Sequence, residues 1–566
     1  MDQFSKIEIS AMPLSSSHFR NKVEEFLHSC GLRMEEMDSW YAATVDDGDI
    51  LLGGAGIKGN TIKCVAVKEE LRGEGLLPRL ISHIISLHPG ENLRVFTKPE
   101  YQSFFADLGF KLLAKAPEAI LMENGRGLTI ETQPKTEGKA GVIVMNANPF
   151  TKGHKYLIDK ALEQVDRLYI IPVKEDVSLF PYTERKAMIE AAVEGNTRVT
   201  VLPGSDYTIS ALTFPTYFLK DLSTAAETQM RLDLDLFARH FVPALKVDVR
   251  FVGTEPEDRL TARYNTLMKE ILSIDTVEIP RLEGVSASKV RKALESGNYG
   301  EAASLTPETT HPFLLADMAV RALKAELDTP CKPGLVGPDG TGSHKDMDYD
   351  TMLKGIKAIR PYFPKIALCT SPEQLSEIGI EAERAMLAAT GGVNTHRGAI
   401  FALGLMCVAQ MLVTEPVADL PLVKNNQGKE RISLIISELA TTLKQPAGTH
   451  GAAAGDVKGA LKMARGGYRE LFAEWLPYYR SLEGDPFRMQ KTLLKIMSGL
   501  DDTCVIHRAG ADEAEMIKLE AARLLQTFSE NGLQAFNVRL GTRGVSPGGS
   551  ADMLALTVLA DKLLTY

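Results

Sequence analysis

The sequence predicts three folded units in series, two of α/β class and a third built of helices alone. Three observations carry this. The chain has 566 residues, more than one hydrophobic core organises, and about three to four domains is the expectation at that length. Up to about residue 305, short apolar runs of strand character alternate with segments of helical period, as α/β units do. Beyond about residue 312 the strand runs stop and helical periodicity alone remains. The expected divisions are 1–135, 136–310 and 311–566, the second of them doubly wound.

Composition narrows the class. Lys and Arg number 64 against 73 Asp and Glu, with no long basic block, so no nucleic-acid partner is expected. Cys30, Cys64, Cys331, Cys369, Cys407 and Cys504 are scattered without a C-x-x-C pair. They read as reduced thiols of a cytoplasmic protein, not as a disulfide frame or zinc site. Asp2, Lys6 and Glu8 stand where a secretion signal would be apolar. No run of 18 apolar residues is present, so no membrane span is expected.

In the first unit a helix is expected over 17–29, then strands near 40–45, 50–57 and 61–67. The stretch Glu69 to Leu77 opens a helix reaching about Leu87; a strand near 93–96 and the segment YQSFFADLGF (101–110) follow. Arg72-x-x-Gly75 after a strand resembles the pyrophosphate-binding turn of the GNAT acetyltransferase fold, and F-x-x-L-G-F resembles that fold's next helix and strand. The resemblance implies that backbone N–H groups around Arg72, Gly73 and Gly75 hold a coenzyme A or pantetheine arm. It departs from the pattern at Leu77, where a small residue is usual. A domain kept for structure or docking is the competing reading.

Residues 125–140 are polar and glycine-rich, a connection with one expected strand, Leu128 to Glu131. The second unit then begins with a buried strand, Gly141 to Met145, runs through NANPFTKGH (146–154), and enters a helical pattern, Tyr156 to Leu162. A strand, a tight turn and a helix N-terminus make a phosphate-binding arrangement. Asn148, Phe150, Thr151, Gly153 and His154 are its candidate contacts, with His154 in the first helical turn. Further strands are expected at 168–172 and 246–251 and a helix at 183–193. Gly253 stands at the end of the 246–251 strand, where a nucleotide would lie at the sheet's switch point. Val285 to Arg291 (VSASKVR) offers Ser286 as a helix cap, Ser288 in the first turn and Arg291 as a fixed positive fork. T-x-G-H resembles the H-x-G-H signature of nucleotidylyltransferases, and S-x-S-x-x-R their second signature; an ordinary βα turn with His154 as a solvated cap is the alternative.

In the third unit helices are expected near 313–327, 349–361, 372–388, 396–413, 430–444, 455–475, 487–499, 512–528 and 550–564. Four polar loops punctuate them. KPGLVGPDGTGSHKDMD (332–348) has glycines, Gly340 and Gly342 among them, for close backbone approach to phosphates. Lys332 and Lys345 can neutralise anionic oxygens, and Asp346 and Asp348 suit Mg²⁺. Glu383 precedes TGGVNTHRG (390–398), with Asn394 and His396 at a helix start. Asp501 and Asp502 precede His507 and Arg508. SPGGSAD (546–552), with Ser546, Gly548 and Gly549, opens the last helix. Each loop taken singly also reads as a helix cap or surface pair; together they point to a polyanionic ligand with Mg²⁺.

These motifs resemble two families joined end to end. NANPFTKGH, GSDYTIS (204–210), TFPTYF (213–218), VGTEP (252–256) and SASKVR, with the GNAT-like region in front, resemble citrate lyase ligase. KPGLVGPDGTGSHKDMD, TGGVNTHRGAIF (390–401), DDTCVIHRAG (501–510) and SPGGSAD resemble triphosphoribosyl-dephospho-CoA synthase. The first resemblance implies that acetate and ATP give acetyl-adenylate, and that the thiol of the citrate lyase acyl carrier subunit takes the acetyl group. The second implies that the 2′-hydroxyl of 3′-dephospho-CoA attacks the ribose of ATP and expels adenine. His154 is then the catalytic residue expected in the first half. Asp346, Asp348, Asp501 and Asp502 take metal or base roles in the second, with the base not assigned among them. An adenylyltransferase fused to an acetyltransferase, or a scaffold with one degenerate half, are the rivals.

Overall fold

The computed structural model describes residues 7–45, 50–125, 128, 130–135, 137–174, 178–205, 207, 222–254, 259–414, 428–443 and 459–564. Thr129, Asp206, TFPTYF, and Glu255 and Pro256 of VGTEP lie outside them. Two compact units form: 1–146 with 156–176 and 195–283, and 147–155 with 177–194 and 284–566.

The first unit holds two sheets. One has seven strands in the order β1-β2-β3-β4-β5-β7-β6: β1 (Glu8–Met12), β2 (Ser39–Val45), β3 (Ile50–Lys58), β4 (Thr61–Val67), β5 (Arg94–Thr97), β6 (Lys111–Lys115) and β7 (Ile120–Glu123). Helices α1 (Ser17–Ser29) and α2 (Leu76–Leu87) belong with it. Trp40 of β2 is fully buried and lies flat on β3, where a Cβ on Gly54 would stand 2.2 Å from the indole. All neighbours are antiparallel except β4 and β5, which pair only at Thr61–Arg94 and Ile62–Val95. Leu76, Leu80, Ile81 and Ile84 bury the inner face of α2, a stripe of helical spacing.

The second sheet is wholly parallel, in the order β10-β9-β8-β11-β12. Its strands are β8 (Ala140–Met145), β9 (Arg167–Pro172), β10 (Val199–Val201), β11 (Val249–Gly253) and β12 (Asp275–Ile279). β8 and β9 read as unbroken apolar runs because helices cover both faces of such a sheet. The strand order reverses between β8 and β11, the place where doubly wound sheets open a crevice. Helix α3 (Lys152–Leu162) follows β8, and α4 (Leu222–Leu236) reaches the first sheet, Asp235 accepting from the Lys115 N–H at 2.7 Å. Two expectations are corrected here. Leu128, Ile130 and Glu131 form no strand; Leu128 and Ile130 pack their side chains on the core instead. β11 begins at Val249, not Lys246, because Lys246 (φ +52°) closes the short helix before it.

The second unit is helical. Its elements include α5 (Ala287–Glu295), α6 (His311–Leu327), α7 (Arg397–Thr414), α8 (Thr503–Ala509) and α9 (Gly548–Leu563). Every residue of α9 from Met553 to Ala560 is buried, as in a helix packed on all sides. The helix expected over 455–475 is broken where described: Ala460–Arg465 stops before Gly467 (φ +69°) and Tyr468 (φ +50°), and helical structure resumes at Arg469. Several described helices had no forecast, among them α8, Glu530–Arg543 and the short Tyr299–Ser304 and Phe363–Ala367; Gly510 (φ +86°) cuts α8 from its successor. Within this unit Arg360 donates from Nε and Nη2 to both oxygens of Glu184 at 2.7 and 3.0 Å, and stands 3.4 Å from Asp317. Thr310 Oγ1 donates to the Phe150 carbonyl at 3.2 Å, and the Lys152 N–H to the Leu305 carbonyl at 3.1 Å.

Candidate active sites

The turn after β8 places Ala147 at φ +48°, a conformation that costs a non-glycine residue about 1 kcal/mol and concentrates at functional turns. Thr151 is buried. Its backbone N–H donates to His154 Nδ1 at 3.0 Å. Its hydroxyl stands 2.8 Å from the same nitrogen and accepts from the His154 N–H at 3.4 Å. An N–H can only donate, so Nδ1 is the acceptor nitrogen and the neutral ring carries its hydrogen on Nε2. Phe150, fully buried, stacks on the imidazole with centroids 5.5 Å apart. Asn148 holds the turn rather than a surface position: its Oδ1 accepts from the Phe180 N–H at 3.1 Å.

The second signature meets this turn. Ser286 caps α5, accepting from the Lys289 N–H at 3.2 Å. Arg291 donates from Nη1 to the Asn148 carbonyl at 2.6 Å and from Nη2 to Ser288 Oγ at 3.0 Å. Gly153 has only ordinary contacts around a Cβ position, Val285 among them. The Thr of T-x-G-H, Arg291 and the starts of two helices thus form one constellation. Gly253 ends β11 in the first unit, its carbonyl accepting from Asn265 Nδ2 at 3.1 Å.

In the helical unit, segments of all four polar loops line two cavities of about 270 and 160 Å³. The cavities share Asn394, Arg397, Gly398, Cys504 and Asp552 as walls. Leu335, Val336, His344, His396, Ser546 and Gly548 line the smaller; Asp501, Asp502 and Gly549 line the larger. The N-termini of α7 and α9 and the start of α8 therefore open on the same space, and helix starts present N–H groups to anions. Asn394 Oδ1 accepts from the Arg397 N–H at 3.1 Å, and Arg397 pairs with Glu383. His396 is buried beside the Lys332 charge, and burial first, then that charge, push its imidazole down to about 3. It is a neutral hydrogen-bonding group at any working pH. His344 Nε2 lies 2.8 Å from Ser546 Oγ, and burial, then Arg508, hold its imidazole below the usual range.

Asp552 is the group the residue-by-residue sequence reading left out, although SPGGSAD contains it. It lines both cavities. Gly398 makes room for it: a Cβ there would stand 2.0 Å from Asp552 Oδ2. Burial, then the carboxylates of Asp502 and Glu326, push its carboxyl well above the ordinary range. A strongly perturbed acid in a cleft marks a functional candidate. Its place one turn into a helix whose glycine start was itself a candidate was the available signal.

Other expected residues have different settings. Lys332 is buried and paired with Glu326. Gly342 (φ +59°) serves the loop's own turn, a Cβ there meeting the Leu335 carbonyl at 2.5 Å, and Gly340 answers Gly337 across a two-way backbone pair. Lys345, Asp346 and Asp348 are exposed. Asp348 caps a helix through the Thr351 N–H and hydroxyl, which lowers its carboxyl; Asp346 stands 3.5 Å from His344 Nδ1. Asp501 pairs with Lys518. Asp502 accepts from the N–H groups of Cys504, Val505, Gly549 and Ser550 and from the Ser550 hydroxyl, tying α8 to α9. Among the described residues no group of three or more His, Cys, Asp or Glu could hold a metal ion. In the first unit, Gly73 (φ +87°) and Gly75 (φ +82°) follow Arg72, and Gly75 begins α2. Leu77 turns its side chain to the core beneath the sheet. Among the described residues no helix is long and apolar enough to cross a membrane.

Comparison with known proteins finds two families along the chain. A model of the citrate lyase ligase C-terminal domain matches residues 140–314. A model of ATP:dephospho-CoA triphosphoribosyl transferase matches residues 312–566. The chain is 38% identical over 334 residues to a citrate (pro-3S)-lyase ligase of Haemophilus influenzae, covering 55% of this chain and 98% of the relative. Identity to the corresponding ligase of Klebsiella pneumoniae is 39% over 319 residues, 52% of this chain and 92% of that protein. A probable 2-(5″-triphosphoribosyl)-3′-dephosphocoenzyme-A synthase of Azotobacter vinelandii is 34% identical over 274 residues, 44% of this chain and 90% of that protein.

Proposed function

We propose how two chemistries are carried out by a chain that belongs, over its N-terminal half, to the citrate lyase ligase family and, over its C-terminal half, to the triphosphoribosyl-dephospho-CoA synthase family. It is a bifunctional enzyme that serves the prosthetic group of citrate lyase. One half is a ligase acting on the acyl carrier; the other uses ATP and dephospho-CoA.

In the ligase half, the reading is that of a nucleotidylyltransferase-type site. An oxygen of acetate attacks the α-phosphorus of ATP, the bond to the bridging oxygen breaks, and pyrophosphate leaves. His154 donates from Nε2 to the phosphate oxygens, Arg291 holds them by charge, and the starts of α3 and α5 add N–H groups. Such catalysis is positioning and charge stabilisation. The thiolate of the carrier's prosthetic group then attacks the acyl carbon and AMP leaves. A GNAT-like first domain, residues 1–135, would present that arm at Arg72, Gly73 and Gly75. The short β4–β5 ladder above a glycine turn supports this, and Leu77, packed inward, leaves the turn clear.

In the helical half, 311–566, the 2′-hydroxyl oxygen of dephospho-CoA bonds to C1 of the ATP ribose, and the bond to adenine breaks. Asp552 takes the hydroxyl proton. Asn394, Arg397, Ser546, Gly548 and Gly549 receive the triphosphate, and His396 hydrogen-bonds as a neutral ring. The observation that carries this half is the wall shared by two cavities, which lets two substrates meet at Asp552. The carboxylates present do not fit a resident Mg²⁺ site, since Asp348, Asp501 and Asp502 are each engaged elsewhere.

Two assays test the reading on the whole protein. ATP with acetate should yield AMP and pyrophosphate; ATP with dephospho-CoA should yield free adenine. AMP formation indifferent to acetate, or dephospho-CoA consumed without adenine, would overturn the corresponding half.

A further inference from the structure

A third cavity, of about 210 Å³, lies at the C-terminal ends of β8 and β9 in the first unit, with Arg250 from the start of β11 in its wall. Its walls are apolar where Met145, Ile171, Leu236, Phe237 and Phe241 line it, and carry two charged residues, Arg250 and Asp233. Arg250 is 4% exposed. Its guanidinium stacks on Phe237, 4.4 Å from the ring centroid. Its hydrogen bond runs from Nη2 to Tyr264 Oη, long at 3.4 Å, and Tyr264 in turn donates to Asp233. Among the described residues Nε and Nη1 have no hydrogen-bond partner. A buried cation with unmet donors is costly, and at a cavity wall those donors face space where an anionic group can meet them.

We infer that this cavity takes the carboxylic acid substrate: Arg250 meets the carboxylate, and Leu236 and Phe241 limit the length of its apolar tail. The size and lining fit a small acid with an uncharged end rather than a nucleotide, whose phosphates would need several donors. The wall strand β8 runs directly on in the chain to Thr151 and His154. This inference deepens the ligase reading above and rests on it.

The test is acid-dependent exchange of labelled pyrophosphate into ATP by the full-length protein, with acetate, propionate and butyrate. Wild type should exchange with acetate; no exchange with any acid overturns the ligase reading itself. Arg250→Gln should raise the KM for acetate at least about 10-fold, the loss of a charge-assisted contact, with the KM for ATP unchanged. Adenine release by the same preparation reports its folding. Leu236→Ala supplies the second arm, shifting the preference from acetate toward propionate or butyrate by about 10-fold per methylene accommodated. An acetate KM within twofold of wild type in exchanging Arg250→Gln overturns the assignment. Should that variant not fold, an unchanged acid preference in Leu236→Ala overturns it instead.

Discussion

His154 shows how much one side chain depends on its neighbours. Thr151 fixes which ring nitrogen carries the hydrogen, and Phe150 fixes the ring plane. Removing a donor that stabilises developing charge costs on the order of 100- to 1000-fold in rate. His154→Ala and Arg291→Ala should each lower acetate-dependent AMP formation by that factor while adenine release persists; an unchanged AMP rate in either would displace the site. Asp552 makes the opposite kind of demand. Its folded carboxyl titrates above the ordinary value, near 3.9 for Asp. The stability tied to its proton is therefore present at low pH and lost as pH rises through the folded value. Asp552→Asn should lose at least about 100-fold in adenine release, the usual worth of a general base. Thermal melts should find the variant more stable than wild type at pH 8, with the gap closing toward pH 4. Wild-type adenine release should fall on acidification at a pH above the usual carboxylate range.

At the scale of elements, helix starts decide the chemistry. The first turn of α7 packs on the first turn of α9 only because residue 398 lacks a side chain. Gly398→Ala should displace the Asp552 carboxylate and cut adenine release by about 10-fold or more, leaving acetate-dependent AMP formation intact; equal loss of both would mean a folding defect. Period and composition made these elements legible unevenly. β8 and β9 were readable as continuous apolar runs, and α6 and α7 as long helices. The positive-φ break at Gly467 and Tyr468 was not, because an apolar period continues through it. α8 is too short for a period, and its start had the look of a loop. Local signals likewise gave Ser286 its cap and Arg291 its fork. They could not show that Lys332 turns inward to Glu326, or that Asp502 spends both oxygens on N–H groups, since those partners come from the folded chain.

At the scale of the whole molecule, the second compact unit contains both T-x-G-H and S-x-S-x-x-R together with the helical cavities. Residues of the ligase half are therefore built into the helical unit, and the largely buried pair of Arg360 with Glu184 is one of the contacts that bind them. Breaking such a pair by removing one partner costs about 3–5 kcal/mol. Arg360→Ala should lower the melting temperature and hasten the heat inactivation of both AMP formation and adenine release; loss of one activity with the other at its wild-type half-life would show that the two regions stand independently. A cell that carries this chain cannot age its two catalysts separately. Heat, a protease or a damaging mutation that undoes the Arg360 bridge retires both at once, so the supply of the new prosthetic group and its acetylation start and stop on a single clock.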